Sequence, residues 1–401
     1  MPGYKARMLD EYFSGTLPQL IERARLLKAK IPRSLPRDYG ALIRTCEIEL
    51  ADIMVRLREL QNTSLGARPI INQAQLRKFK RVIADLDRIE TRAIPVLNRA
   101  HADDHHANRL LFRICQEISY PLAPPTVTTL SKNYFYIDTK LQLLFIPLVE
   151  GNFLLHLPDL YHELCHPLLT HQDHPVLDRM KAEYLECLVY IHDHFAAQRA
   201  KEELRRGPNA FKDQGDLWEL LWTKYWLTEF FCDLYAIVTL GPAFAWSHLH
   251  LHLKTGGDPF MLPEGIRLVT HPADNARMRV MLGALQLGGF HKDAAQIDSR
   301  WQQALRLTTN IAPPDYHFCY PDGLLSFVVE KARAGTLAMD CRPASPDADD
   351  PIQQLLNIAW KNFWTAPAAY QAWEATAVQE LFAFCEGKAT SLPSTDNFTA
   401  A

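Results

Sequence analysis

The sequence predicts a mainly α-helical protein with one small β-sheet, an α+β class in which the sheet is the minor part. Three observations predict it. Apolar residues recur at helical spacing through most of the chain, as they do in helices that bury one face. A single stretch, residues 133–151, abandons that period for short aromatic and aliphatic runs with turn residues between them. Segments rich in Pro and Gly separate the blocks.

From about residue 9 to 107 the pattern is helical. Leu17, Leu20, Ile21, Ala24 and Leu27 fall on one face, and further faces run through residues 42–60 and 83–97. Pro32, Pro36 and residues 66–69 punctuate them, so residues 1–118 read as an N-terminal helical hairpin or small bundle. Pro121, Pro124 and Pro125 end this pattern. Residues 133–138 and 141–151 then read as a hairpin or small sheet, and LPDLYHELCHPLL (157–169) begins a helix with Asp159 as cap or first-turn acid.

Helical patterning resumes over 176–205, and residues 205–216 have loop composition. A long apolar helix over 217–240 stops at Gly241 and Pro242. Further helices are expected over 262–288 and 296–308. The acidic, Pro-rich stretch 341–351 reads as a linker or exposed loop before one or two last helices, with a frayed tail after Leu392. The domain reading is therefore a helical 1–118, a core at 119–310 and a helical C-terminal region at 311–401.

Bulk composition narrows the class. The chain has 401 residues, 48% apolar and 22% charged, enough to bury a sizeable core. Lys and Arg number 43 against 46 Asp and Glu, so charge gives no reason to expect nucleic acid or an anionic membrane as partner. The eight cysteines are scattered and form no C-x-x-C pair, which points to a reduced, cytoplasmic protein with cysteines as small core residues. No apolar signal-like run follows the first residues. The richest apolar stretch, 219–246, contains Lys224, Glu229 and Asp233 and reads as a buried helix, with no transmembrane segment.

The chemistry concentrates in His162-Glu163-Leu164-Cys165-His166. Positions i and i+4 lie one turn apart on the same helix face, so both imidazoles can converge on one metal ion. Glu163, at the edge of that face, is placed to take a proton from water that the metal activates. Zinc suits such a site because it is redox-inert and lowers the pKa of bound water. A third ligand is required. Glu229 and Asp233 sit one turn apart on the apolar helix, where two acids are costly unless something positive meets them. Zinc for Glu229 and an imidazole N–H for Asp233 would supply it. Beyond them, His271, in Thr270-His271-Pro272, and Arg277 could stabilise a developing oxyanion.

The order H-E-x-x-H, E-x-x-x-D, H-P-x-x-x-x-R, with its gaps, resembles the gluzincin metallopeptidases related to HtpX and the CAAX prenyl endopeptidases. The resemblance covers roughly residues 140–285 and does not extend to the membrane-spanning helices of the integral members. It implies a zincin-like core with helical additions and zinc-dependent cleavage of a peptide or protein substrate. Zinc ligands would be His162, His166 and Glu229, Glu163 the general base, and Asp233 the carboxylate that orients a ligand histidine. His271 and Arg277 would line the active-site wall, and the strand before the metal helix would serve as an edge that lays out an extended peptide.

This sequence has Cys165 and Cys232 where the family often has glycine and alanine. They are read as small packing residues between two close helices. His248, His250 and His252 read as a helix edge or half-buried strand rather than a second metal site. Tyr316, His317 and Tyr320 are candidates for a transition-state donor on residue type alone. The alternative from another class is a catalytically silent, zinc-containing binding or regulatory protein, and the helical additions offer a surface for a regulatory partner. An intact Glu163 favours the enzyme.

Overall fold

The computed structural model describes residues 2–32, 35–62, 69–99, 102–131, 134–170, 174–207, 212–263, 269–308 and 311–392. The punctuating stretch at 66–68 and the tail expected to fray after Leu392 lie outside these residues. The described chain is mostly helical with one small sheet, as its periodicity predicts, and none of its helices is long and apolar enough to cross a membrane.

The chain divides into two compact units, Met1–Arg109 with Pro124–Ile146, and Leu110–Ala123 with Pro147–Ala401. In the first, α1 (Pro2–Ala29), α2 (Gly40–Asn62) and α3 (Pro69–Arg88) pack together, and a π turn at Ile89–Ala93 leads into α4 (Ile94–Arg99). Leu17, Leu20, Ala24 and Leu27 are buried together with Leu42, Leu50, Ile53 and Leu57 of α2, which accounts for the helical stripe in the sequence. Helix α5 (Ala102–Glu117) follows.

The sheet has three short strands, β1 (Thr126–Thr128), β2 (Tyr136–Asp138) and β3 (Leu143–Phe145), in the order β1-β3-β2. β3 pairs parallel to β1 and antiparallel to β2. The side chain of Asn108 bonds β1 as a neighbouring strand would: Val127 N–H donates to its Oδ1 at 2.8 Å, and its Nδ2 donates to Val127 O at 2.8 Å. Leu143 and Phe145 join the core made by α1–α4. This corrects one expectation. The last strand before the H-E-x-x-H helix in sequence, β3, is paired on both sides and has no free edge for an extended peptide. It also belongs to the first unit, whereas the H-E-x-x-H helix belongs to the second.

The second unit contains α6 (Asp159–Thr170), α7 (Asp178–Arg206) and α8 (Lys212–Leu221), which runs through a π turn at Trp222–Trp226 into α9 (Leu227–Leu240). After these come α10 (Pro242–Thr255), α11 (Asp274–Leu287), α12 (His291–Thr308), α13 (Tyr316–Cys319), α14 (Asp322–Ala338), α15 (Pro351–Thr365) and α16 (Pro367–Cys385). α9 is the axis of this unit. Every residue from Phe230 to Leu240 is buried, and α6, α10, α11 and α14 pack around it. Gly241 ends it with φ +88°, and a Cβ there would meet the Phe290 ring at 3.1 Å, so glycine is needed for both backbone and space.

Three boundaries differ from the sequence reading. Helix returns at Lys212, inside the stretch read as loop, α11 begins at Asp274 rather than 262, with residues 264–268 outside the described chain, and α12 begins at His291 rather than 296. Residues 341–350 have no helix, yet they are pinned: Arg342 N–H donates to Ile118 O at 2.9 Å and Ala344 N–H to Val238 O at 2.7 Å. Just beyond, Glu117 caps α15 by accepting the N–H groups of Ile352 and Gln353 at 3.0 and 3.3 Å.

Candidate metal centre

Helix α6 lies along α9 with nine of its residues buried. Close approach is possible because the residues between the helices are small: Cys165 and Cys232 are fully buried, and the Cys165 thiol donates to Phe231 O at 3.6 Å. Tyr120 OH donates to Leu164 O at 3.0 Å and holds α6 from its other side. This packing turns His162 towards the two acids of α9, which bracket its ring from one turn apart. Its Nδ1 is 2.9 Å from Asp233 Oδ1, and its Nε2 is 3.4 Å from Glu229 Oε2. Nδ1 therefore carries the proton given to Asp233, and Nε2 faces Glu229.

His166 follows one turn later, its ring centroid 5.2 Å from that of His162 and inclined at 73°. Glu163 is buried beside them, only 8% exposed. Asp233 is fully buried and is held by Arg277, whose Nε donates to Oδ2 at 2.7 Å and whose Nη2 donates to Oδ1 at 2.6 Å. Arg277 thus faces Asp233 with two of its donors, instead of presenting them to a substrate. His271 Nε2 lies 3.4 Å from Glu229 Oε2, while the rest of its side chain is largely exposed. A pocket of about 330 Å³ opens beside His271, lined by Asp258, Met261, Val269 and Pro272 among others.

The electrostatics follow from burial against pairing. Burial alone would lower the His162 pKa, but Asp233 and Glu229 outweigh it and hold it well above the ordinary histidine value. His166 is pushed down to about 4 by burial and then by the charge on His162, so its ring is neutral with a lone pair to offer. Glu229 is ionised: burial would raise it, but the histidines bring it to about 2. Its Oε2 is nonetheless buried without a hydrogen-bond partner.

Among the described residues, the group of three donors close enough to share one ion is His162, His166 and Cys232, with ligand atoms all within 4.8 Å of one another. Cys232 as a donor is a feature sequence reasoning missed, since a cysteine three residues after an acid carries no ligand signature. Glu229 reaches His162 and His271 instead. The 3.4 Å contacts it makes match the separation, about 3.3–3.4 Å, of two donors each 2.0–2.1 Å from one tetrahedral ion.

Sequence reasoning also missed the scaffold that presents His271 and Arg277. Trp226 Nε1 donates to Val269 O at 2.9 Å, and Ala273 N–H donates to Tyr320 OH at 3.2 Å. Asn275 Nδ2 donates to Tyr316 OH at 3.0 Å and Trp301 Nε1 donates to Asn275 Oδ1 at 2.9 Å. Tyr316 and Tyr320 are fully buried, so they hold the start of α11 rather than meet a substrate. Compared with known protein families, curated proteins and solved structures, the chain matches none.

Proposed function

We propose that this chain is a zinc-dependent peptide hydrolase of the gluzincin type, with the ion held by His162, His166 and Glu229. One observation carries the reading. His162 has Nδ1 tied to a carboxylate and Nε2 aimed at a second, ionised carboxylate whose oxygen lacks a hydrogen-bond partner, which is how a ligand histidine is prepared. Zinc in this place would supply a Lewis acid for the scissile carbonyl and lower the pKa of water towards neutrality.

Glu163 takes a proton from the attacking water and returns it to the leaving amine. Asp233 fixes the tautomer and orientation of His162, and Arg277 acts through Asp233 as a positioning residue. His271, exposed on the pocket side, contacts the carbonyl oxygen as charge develops there. The pocket beside it accepts one substrate side chain. Eight free, buried cysteines support a reducing compartment, the cytoplasm. Glu163→Gln tests the assignment: the variant should retain metal and fold while losing cleavage of an unfolded protein substrate. Equal cleavage by variant and parent would end this mechanism.

A second reading has its own observation. If Cys232 joined His162, His166 and Glu229, the ion would have four protein donors and no open position, as in structural zinc sites. The chain would then be a zinc-stabilised binding or regulatory protein. Hydrolysis is favoured because Glu163 is intact and buried beside the two histidines, a carboxylate that a purely structural site does not need. Cobalt substitution separates the two, because thiolate coordination gives an intense near-ultraviolet charge-transfer band that N and O donors do not.

A further inference from the structure

The run His248, His250, His252 of α10 splits by helical period. His248 and His252, one turn apart, both face Asp274: His248 Nε2 is 3.3 Å from its backbone oxygen and His252 Nδ1 is 2.8 Å from its Oδ2. They anchor the first residue of α11. His250, on the opposite face, meets a residue far away in sequence. Its Nε2 is 3.4 Å from Nε2 of His156, in the turn before α6, and the two rings stack at 29° with centroids 5.4 Å apart.

The outer nitrogen of His156 is also occupied. Nδ1 is bound by the Glu150 carboxylate, whose other oxygen is 3.8 Å from Lys254 Nζ. With the proton on Nδ1, the Nε2 of His156 offers a lone pair to the space it shares with His250. A carboxylate behind one imidazole nitrogen with the other left free is the usual surrounding of a metal-binding histidine. The 3.4 Å between the Nε2 atoms equals the separation, about 3.3–3.4 Å, of two ligands 2.0–2.1 Å from a tetrahedral ion. Glu374 adds acidic charge to the same cluster. Its Oε1 accepts Leu154 N–H at 2.8 Å and Tyr370 OH at 2.9 Å, which fixes the turn carrying His156.

We propose that His156 and His250 form a second metal site, distinct from the His162 centre, which takes a borderline divalent cation of the zinc class. Water fills its two remaining positions. The ion joins the turn before α6 to α10, the helix whose Phe244 stacks on His162 at 5.8 Å between centroids. Burial, the neighbouring His156 and Lys254 keep His250 below the ordinary histidine value, which favours the neutral ring that a metal ion needs there. Two protein ligands suit micromolar rather than structural affinity. The site does not depend on the hydrolase reading.

Zinc stoichiometry of the full chain tests it, by equilibrium dialysis against micromolar Zn²⁺ near neutral pH with metal analysis. His250→Gln and His156→Gln should each bind one equivalent fewer than the parent and leave peptide cleavage measurable, whereas His162→Gln should lose the other equivalent. Glu150→Gln should weaken the second equivalent by about tenfold, the effect of removing an outer-shell partner. Melting temperature should rise with Zn²⁺ in the His162→Gln protein and stay constant in His162→Gln/His250→Gln. The proposal is overturned if His250→Gln and His156→Gln bind as many equivalents as the parent, even where His162→Gln abolishes all cleavage.

Discussion

Arg277 grips Asp233 through two parallel hydrogen bonds, of 2.7 and 2.6 Å, at a site where the carboxylate is fully buried and also meets His162. The guanidinium sets the plane of the carboxylate, and the carboxylate sets the plane of the imidazole. This fork geometry is one that lysine cannot reproduce. Arg277→Lys should therefore lower metal affinity by about 10–100-fold while the far-ultraviolet spectrum stays that of the parent. Competition with a chromogenic chelator measures it. Unchanged affinity would show that the orientation of His162 does not pass through Arg277.

In the proposed site Glu229 is the third ligand, and variants test whether Cys232 stands beside it as a fourth. Glu229→Ala should lose its metal on dialysis, whereas Cys232→Ser should keep it, since the serine is small enough for the α6–α9 contact. Loss of the metal from both variants would favour the four-donor, closed site and with it the silent reading.

Glu117 makes stability depend on pH. Burial in its niche raises its pKa to about 7, even though the Ile352 and Gln353 N–H groups favour the carboxylate. A carboxyl raised on folding contributes stability that is fully present below the unfolded value and is lost as pH rises through the folded one. The loss should fall between about pH 4.5 and 7 and amount to at most about 3 kcal/mol. Urea titrations should show this decline in the parent and a flatter profile in Glu117→Gln, whose amide oxygen still accepts from the helix. Parallel profiles would rule out Glu117 as the source.

Gly241→Ala places a Cβ on a φ of +88° and against the Phe290 ring. The strain should lower stability by about 1–3 kcal/mol, read as a lower urea midpoint at unchanged slope. An unshifted midpoint would mean that the α9–α10 corner relaxes freely.

How much of this was legible in the sequence depended on distance along the chain. The pairs His162/His166 and Glu229/Asp233 are spaced by one helical turn, so their faces could be read directly. The stop of α9 at Gly241 followed from an apolar run and a Gly-Pro break. The partner of Arg277 could not be read, because whether a guanidinium meets Asp233 or open cleft depends on how α11 packs on α9. Periodicity carries no information on that contact. The same holds for Cys232, which composition marks only as a small buried residue, and for His250, whose partner lies 94 positions away. The central position of β3 was hidden for another reason: β1 is only three residues long and too short to show an alternating pattern.

The cap on α15 has a consequence for synthesis. Glu117 leaves the ribosome 235 residues before the amide it satisfies, that of Ile352. Throughout that interval its acid side chain has no helix to bind, and α15, once made, has a bare amino end until the chain around Glu117 is docked. Growth from the amino terminus therefore cannot complete this unit piecemeal. The last helices lock onto a feature laid down early, and a chain released before α15 emerges would lack the N–H groups that Glu117 accepts.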